Sequence, residues 1–321
     1  MIVDRTIWQG VGAVLVLFTS IAWTSQAVAE TASPLPAPGL MVRVGDHRLH
    51  LYCMGRGEPT VILDSGLGGN SLDWVSVQPG VAEYTRVCTY DRAGYGWSEL
   101  GPLPRTSERI AEELHTLLER AGVLGPYVLV GHSFGGYNVR LFASQFPDTI
   151  AGVVLLDSAH EDQFMRFQKN GITRHTSGTN YFAASGPSIP ENLPSEVRPL
   201  AQKLVEKSSA FMALRGEMIS FRRSAEQVRQ SGPLPDVPVM VITRGKRVWP
   251  HNERGNRLEN LWRELQDDLA TRTTYHRSEI AASHVLAKNS GHYVHLDEPG
   301  VVINAIRRVI ESDQQVAELD I

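Results

Sequence analysis

Short apolar runs alternate with amphipathic segments along most of the chain, beginning at Met41. The apolar runs are rich in valine, isoleucine and leucine and end at glycine, proline or polar residues, which is typical of buried strands. Strands that alternate with helices favour an α/β fold with a mostly parallel sheet. The pattern predicts a hairpin over 42–52 and strands at 60–64, 86–90, 127–130, 152–156, 237–242 and, from a weaker pattern, 275–280.

Helical periodicity predicts the helices of the core and a helical insertion between two of its strands. Apolar residues recur at helical spacing over 108–121 and 299–310, which predicts two helices packed on the sheet. Between Ser158 and Pro235 the strand pattern stops, and a stretch of this length between two strands favours a helical cap, with helix-like segments at 197–216 and 218–230. We therefore predict a core over 40–158 and 235–313, a cap over 159–234 and a loose tail over 314–321.

The N-terminal segment differs from the rest in having no charged residue from Thr6 to Ala29. An apolar stretch followed by the small residues of Ala27-Val28-Ala29 predicts an export signal over 1–29 and a periplasmic or secreted protein. The uncharged run is also long enough to span a bilayer, so an uncleaved anchor formed by residues 7–29 is the alternative and the one expected membrane contact. Prolines and small residues over 30–39 predict a linker.

Composition and charge exclude several classes of partner. The formal net charge is −4, and no run of lysine and arginine exceeds two residues, so nucleic acid is not an expected partner. The sequence has no phosphate-cradling loop, dinucleotide fingerprint or metal-ligand cluster, and we expect neither a cofactor nor a metal. The two cysteines, Cys53 and Cys88, lie in predicted strands. In an oxidising compartment one disulfide is the simplest arrangement, and two buried thiols are the alternative.

Residues 131–135, Gly-His-Ser-Phe-Gly, carry the clearest chemical motif of the chain. They follow the predicted strand 127–130 and precede a helix-like stretch. In this context Gly-x-Ser-x-Gly predicts a nucleophile elbow, a tight turn that exposes a serine hydroxyl above the sheet. Ser133 is therefore the candidate nucleophile.

A serine nucleophile requires a general base and an acid that orients the base. His292 follows the last predicted strand in Ser-Gly-His, where this architecture places its base, whereas His132 and His295 are expected to be packing residues. The strand at 237–242 has no carboxylate after it, but the preceding strand ends at Asp157. Asp157 is the candidate acid, and Glu253 is the alternative.

Acyl transfer also requires donors for the oxyanion that forms in the transition state. Two backbone N–H groups normally serve, one from the residue after the nucleophile and one from the loop after the third strand. These positions are Phe134 and, within residues 65–69, Leu67.

Four motifs together resemble the α/β-hydrolase superfamily, in its capped branch of epoxide-hydrolase-like and peptidase-like enzymes: residues 65–69, 90–98, 131–135 and 290–292. The resemblance covers about 40–158 and 235–312. It implies the α/β-hydrolase fold, with eight strands in the order 1-2-4-3-5-6-7-8, and this order would place the strands of Cys53 and Cys88 side by side. It also implies that Asp91 and Arg92 form an ion pair behind the 65–69 loop.

The expected function is that of a serine hydrolase acting on a carboxylic ester or a related small acyl substrate. Ser133 would attack, His292 would transfer the proton and Asp157 would orient the histidine. Amide hydrolysis, carbon–carbon bond hydrolysis and acyl transfer use the same groups and remain alternatives. A ligand-binding protein or receptor with little turnover is the alternative from another class.

Overall fold

An eight-stranded sheet forms the centre of the protein. The computed structural model describes residues 35–170, 187–271 and 282–319. The strands are β1 (Leu40–Val44), β2 (His47–Met54), β3 (Thr60–Asp64), β4 (Val87–Tyr90), β5 (Tyr127–His132), β6 (Ile150–Leu156), β7 (Val239–Arg244) and β8 (Ala282–Ala287). Their order is β1-β2-β4-β3-β5-β6-β7-β8, and only β2 runs antiparallel to its neighbours β1 and β4. This order confirms the predicted fold class.

Helices cover both faces of the sheet. Along β3, Ile62 packs into one apolar cluster, whereas Val61 and Leu63 pack into another, because successive strand side chains point to opposite faces. The helices of the described residues are α1 (Gln78–Ala82), α2 (Ser107–Arg120), α3 (Gly135–Gln145), α4 (Gln163–Lys169), α5 (Arg198–Val205), α6 (Ser208–Gln230), α7 (Glu253–Thr271), α8 (Val294–Asp297) and α9 (Pro299–Leu319). Helices α2 and α3 contribute to the first cluster, and α1 and α9 to the second.

Some element boundaries differ from the sequence-based expectation. The weak strand at 275–280 lies outside the described residues, and the eighth strand of the sheet is Ala282–Ala287. Helix α9 continues beyond residue 310 to Leu319, into the segment predicted as a loose tail. Within the described parts of 159–234 the structure has helices α4, α5 and α6 and no strand, while the division of the chain into core and cap stays a prediction.

The two cysteines form a disulfide between neighbouring strands. Cys53 on β2 lies directly opposite Cys88 on β4 in the antiparallel ladder, with their Cα atoms 4.0 Å apart. The strand order therefore brings together two residues that are far apart in the sequence.

The predicted export signal or anchor and most of the predicted linker lie outside the described residues, which begin at Leu35. Among the helices that are described, none is both long enough and apolar enough to cross a membrane.

The topology gathers the candidate chemistry at one edge of the sheet. The carboxyl ends of parallel strands meet at the same edge, where ligands of open α/β sheets bind. The residues that follow β3, β5 and β6 include Leu67, Ser133 and Asp157, and the segment after β8 carries His292. Residues from four separate parts of the chain are thus brought to a common site.

Candidate active site

Ser133 lies on a strained turn between β5 and α3. Its φ of 51° is in the left-handed region that non-glycine residues rarely occupy, which is characteristic of a nucleophile elbow. The neighbouring chain is so close that a Cβ on Gly131 would meet the Gly135 carbonyl oxygen at 2.7 Å, and one on Gly135 would meet the Asp64 carbonyl oxygen at 2.4 Å. The two glycines are therefore required for this turn, because no larger residue fits at either position.

Ser133 and His292 line one pocket at the edge of the sheet. The loop after β3 forms one wall of the pocket, and Leu214 of α6 contributes from the predicted cap. Among the described residues the Ser133 hydroxyl makes no hydrogen bond with the His292 ring. Such contacts are often long in unliganded enzymes and tighten when substrate binds. The candidate nucleophile and base thus line the same cavity but are not hydrogen-bonded to each other.

The His292 ring is held by Asp157. Its Nδ1 lies 2.6 Å from Asp157 Oδ2, and Asp157 is fully buried at the end of β6 with a φ of 38°. An ionised carboxylate can only accept a hydrogen bond, so Nδ1 carries the proton. Nε2 is then free to accept a proton from a nucleophile.

Asp157 also bonds to two side chains that sequence analysis did not identify. Arg244 Nη1 donates to its Oδ2 at 2.9 Å, and Trp262 Nε1 donates to its Oδ1 at 2.7 Å. Burial by itself raises the pKa of Asp157, but the Arg244 guanidinium, His292 and the Trp262 indole outweigh burial and lower the pKa to about 2. Asp157 is therefore ionised throughout the neutral pH range.

Arg244 occupies the end of β7, the position at which sequence analysis found no carboxylate. Its side chain is buried, stacks over the rings of Trp249 and Trp262, and also donates to Glu259 at 3.2 Å. The alternative acid, Glu253, has an 88% exposed side chain that pairs with Arg257, and it does not line the pocket. The structure thus places Asp157, and not Glu253, beside His292.

Arg92 positions the loop that contains Leu67. Its guanidinium donates to the carbonyl oxygens of Ser65 at 2.7 Å and Gly66 at 2.8 Å. In a trans peptide the N–H points away from the preceding carbonyl, so the Leu67 N–H points away from Arg92. Leu67 lines the pocket, and neither its N–H nor that of Phe134 donates to another atom of the described chain. The two predicted oxyanion donors therefore have no hydrogen-bond acceptor within the described chain.

The ion pair behind this loop differs from the one that the resemblance implies. Arg92 pairs with Asp64 at 2.8 Å and with Glu217 of α6 at 2.7 Å. Asp91 instead contacts the ring of His50 at 2.8 Å. Because Arg92 is buried, two carboxylates are needed to balance the loss of water around its charge. The pairing also joins the loop to a helix of the predicted cap.

His132 and His295 are buried next to His292, and His132 also lines the pocket. His132 Nε2 lies 2.8 Å from the His292 carbonyl oxygen, and the His295 ring lies 4.5 Å from the His132 ring. Burial lowers the pKa of His132 well below its usual value, and the two neighbouring histidines lower it further. Burial likewise lowers the pKa of His295 to about 3. Both rings are therefore neutral at pH 7.

Asp73 is a further carboxyl group on the pocket wall that sequence analysis missed. It lies on the short 3₁₀ helix Ser71–Trp74, in a capping box with Asn70. A capping box is a common local pattern, so no feature of the sequence indicated that Asp73 lines a pocket. In the part of the chain that the structure describes, no group of three or more histidine, cysteine or acidic residues is arranged to hold a metal ion.

Comparisons with known proteins agree with this architecture. The sequence model of the α/β-hydrolase fold family matches residues 59–201. The chain is 27% identical over 267 residues to the uncharacterized protein YqjL of Bacillus subtilis, covering 83% of this chain and 89% of that protein. It is 32% identical over 149 residues to the mouse sn-1-specific diacylglycerol lipase ABHD11, covering 45% of each chain.

Solved structures show the same fold. The epoxide hydrolase CorEH matches with a TM-score of 0.62 and 17% identity, covering 85% of this chain and 98% of its own. The enol-lactonase of Burkholderia xenovorans matches with a TM-score of 0.58 and 17% identity, covering 85% of this chain and all of its own (100%). The strand order, the elbow and these matches lead to one conclusion: the chain has the α/β-hydrolase fold, and residues 59–201 match the sequence model of that fold family.

Proposed function

We propose that the protein is a serine hydrolase that cleaves carboxylic esters or related small acyl compounds through an acyl-enzyme. The observation that carries the proposal is the 2.6 Å contact between His292 and the ionised Asp157, beside a serine on a strained elbow in the same pocket. A structural role alone would not require a strained serine, an oriented imidazole and the Leu67 loop around one cavity.

Each step of the reaction uses a group of known position. Ser133 Oγ attacks the acyl carbon while His292 Nε2 accepts its proton, and Asp157 stabilises the resulting imidazolium. The negative oxygen of the tetrahedral intermediate accepts hydrogen bonds from the N–H groups of Leu67 and Phe134. His292 then protonates the leaving alcohol as the ester bond breaks. Water, deprotonated by His292, releases the acid in the second half of the reaction.

The comparisons favour ester chemistry on this machinery. The names of two similar proteins describe hydrolysis of carboxylic esters, a diacylglycerol lipase and an enol-lactonase. The epoxide hydrolase shares the fold, but the superfamily members that open epoxides use an aspartate nucleophile, whereas this chain has Ser133. Amides, carbon–carbon bonds and acyl transfer are the other reactions to be compared in a substrate panel.

An alkyl fluorophosphonate probe tests the nucleophile. We expect stoichiometric labelling of the wild-type protein and none of Ser133→Ala, because the probe reacts with a serine activated by a histidine. Ser188→Ala is the matched control, since Ser188 lines the same pocket and should not change labelling. Failure of the folded wild-type protein to react would overturn the proposal. p-Nitrophenyl esters of graded chain length would then define the acyl preference.

We also propose that the protein is exported and that residues 1–29 are removed. The disulfide between Cys53 and Cys88 supports this proposal, because such bonds persist mainly in oxidising compartments. N-terminal sequencing of protein from a periplasmic extract should begin at Glu30. Full-length protein in the membrane fraction would instead support an anchor formed by residues 7–29.

A further inference from the structure

Asp73 is the one carboxyl group among the described residues that line the pocket, and no step of the proposed reaction uses it. It is 4% exposed and lines the same cavity as Ser133 and His292. Its Oδ2 accepts the N–H of Asn70 at 3.2 Å, and the Ser65 hydroxyl lies nearby. The Ser65 hydroxyl donates its own proton to the Asn70 carbonyl oxygen at 2.9 Å. Asp73 thus lines the pocket with the Asn70 backbone N–H as the donor to its carboxyl group.

Helix capping explains why residue 73 has an acceptor oxygen, but it does not explain why the side chain is a carboxyl group. The capping box needs one oxygen as an acceptor for the N-cap N–H, and an uncharged asparagine would supply it. A buried carboxylate costs free energy unless donors or a cation compensate its charge. Burial raises the pKa of Asp73 to about 7, which shows how incompletely the protein itself compensates the charge.

The electrostatics of the pocket indicate what could pair with Asp73. None of the described residues that line the pocket is lysine or arginine, and Asp73 is its one carboxyl group. The nearby Arg92 is fully engaged by Asp64, Glu217 and two carbonyl oxygens. A cationic donor would balance the buried charge, a neutral hydroxyl would leave it unbalanced, and an anion would be repelled.

We propose that Asp73 forms a subsite for a protonated amine on the substrate. This inference rests on the proposed hydrolase function, since it assigns a substrate class to the same pocket. The ammonium group donates to the Asp73 carboxylate while the acyl carbon lies next to Ser133. The subsite thereby selects amine-bearing esters over uncharged and anionic esters of similar size.

Three ligands of equal chain length test the charge preference: n-butylammonium, n-butanol and n-butyrate. Each is measured in two ways, by the shift in Tm of the wild-type protein and by competitive inhibition of p-nitrophenyl acetate hydrolysis at pH 7.5. We expect n-butylammonium to raise Tm by several degrees at saturation and to inhibit with a Ki at least about tenfold below those of the other two.

Asp73→Asn provides the decisive comparison, because asparagine keeps an acceptor oxygen for Asn70 but has no charge. The variant should lose the Tm shift caused by n-butylammonium, and the three Ki values should converge. Glu253→Gln removes an exposed carboxylate outside the pocket and should keep the wild-type preference.

Two results would overturn the subsite. One is equal binding of n-butanol or n-butyrate to the wild-type protein, and the other is an ammonium preference that survives in Asp73→Asn. The Tm shift does not depend on turnover. A wild-type protein that binds n-butylammonium through Asp73 but hydrolyses no ester would therefore refute the proposed function and leave the subsite standing.

Discussion

Asp157 and Asp73 are both buried and both act at the pocket, Asp157 through His292 and Asp73 directly, yet their surroundings differ in charge. Asp157 is bonded by a guanidinium, an imidazole and an indole, and these groups lower its pKa to about 2 although burial opposes them. Burial dominates at Asp73, where the nearest donor is a backbone N–H, and raises the pKa to about 7.

This difference shows that burial alone does not determine the charge of a carboxyl group. The number and charge of the donors decide whether desolvation is overcome. A permanently ionised Asp157 suits the task of holding His292 in one tautomer, whereas a carboxyl group that titrates near neutrality can respond to a ligand. Asp73, which lines the pocket, and Asp157, which lies behind His292, are thus suited to separate roles.

Among the substitutions that test this contrast, Asp157→Asn should have the largest effect, and the effect should be on kcat/KM. The asparagine side chain can donate its amide to Nδ1, which favours the wrong histidine tautomer, so we expect kcat/KM to fall by about 10³–10⁴. Glu253→Gln should change kcat/KM by less than about twofold, because an exposed side chain far from the reacting atoms contributes little. Steady-state kinetics on a p-nitrophenyl ester measure both.

The fold of Asp157→Asn can be checked through the other carboxyl group. If the pocket is intact, the Tm shift caused by n-butylammonium should persist in this variant. A larger loss of activity in Glu253→Gln than in Asp157→Asn would show that the acid is assigned to the wrong residue.

Arg244→Met should have the second largest effect, on pH dependence. Without the guanidinium, no other cation offsets the Asp157 charge, which then stabilises the imidazolium of His292 more strongly. The acidic limb of the kcat/KM profile should therefore move to higher pH by about one unit. Arg244→Lys keeps the positive charge and should show a smaller shift.

This test compares the pH at which the acidic limb of the kcat/KM profile lies, and it does not depend on the absolute rate. Arg244 is buried and also bonds Glu259, so the methionine variant should be less stable and is best assayed well below its Tm. An unchanged limb in a folded Arg244→Met protein would mean that Arg244 only supports packing around Trp262.

The sequence reveals the parts of this site that lie in local patterns. Ser133 is marked by the elbow, and His292 and Asp157 by their positions after strands. Arg244 and Asp73 have no such mark, because their roles depend on contacts with residues far away in the chain. Arg244 meets Asp157 across 87 positions of sequence. The pairing of Arg92 with Glu217, across 125 positions, was unpredictable for the same reason.

Strand prediction has the same limit. β3 was predicted with its observed bounds because all five of its residues are buried in the middle of the sheet, which makes the apolar pattern continuous. β8 lies at the edge, where Leu286 is 52% exposed, so its apolar pattern is weak, and the strand predicted at 275–280 lies outside the described residues. Edge strands carry less hydrophobic signal because fewer neighbours cover them.

Asp73→Asn should change how stability depends on pH. A carboxyl group whose pKa is raised in the folded state contributes stability that is fully present below about pH 4 and lost as the pH rises through 7. The asparagine variant lacks this titration, so its Tm relative to that of the wild type should rise between about pH 4 and pH 7 and then stay constant above about pH 8. Since one pKa unit corresponds to about 1.4 kcal/mol, a total change of several degrees across this range is expected.

Ionisation of the groups around Asp73 must be distinguished from ionisation of Asp73 itself. Arg92 keeps its charge over this range, and burial raises the pKa of Tyr293 well above it. Asp91 also lies nearby, and His292 faces the same pocket. Repeating the measurement in a His292→Ala background removes the imidazole. Parallel Tm curves for the wild type and Asp73→Asn would contradict a raised pKa.

Of these changes, removing the disulfide should have the smallest effect on the electrostatics of Asp73 and Asp157. Replacing Cys53 and Cys88 with alanine opens a loop of 35 residues, and we expect a loss of about 3–4 kcal/mol in stability. Neither cysteine contacts Asp73 or Asp157, so Tm should fall by a similar amount at pH 5 and pH 9. The acidic limb of kcat/KM should also stay in place. A pH-dependent loss would show that the strands joined by the disulfide control the electrostatics of the pocket, and the contrast between the two aspartates would then belong to the whole sheet and not to their immediate partners.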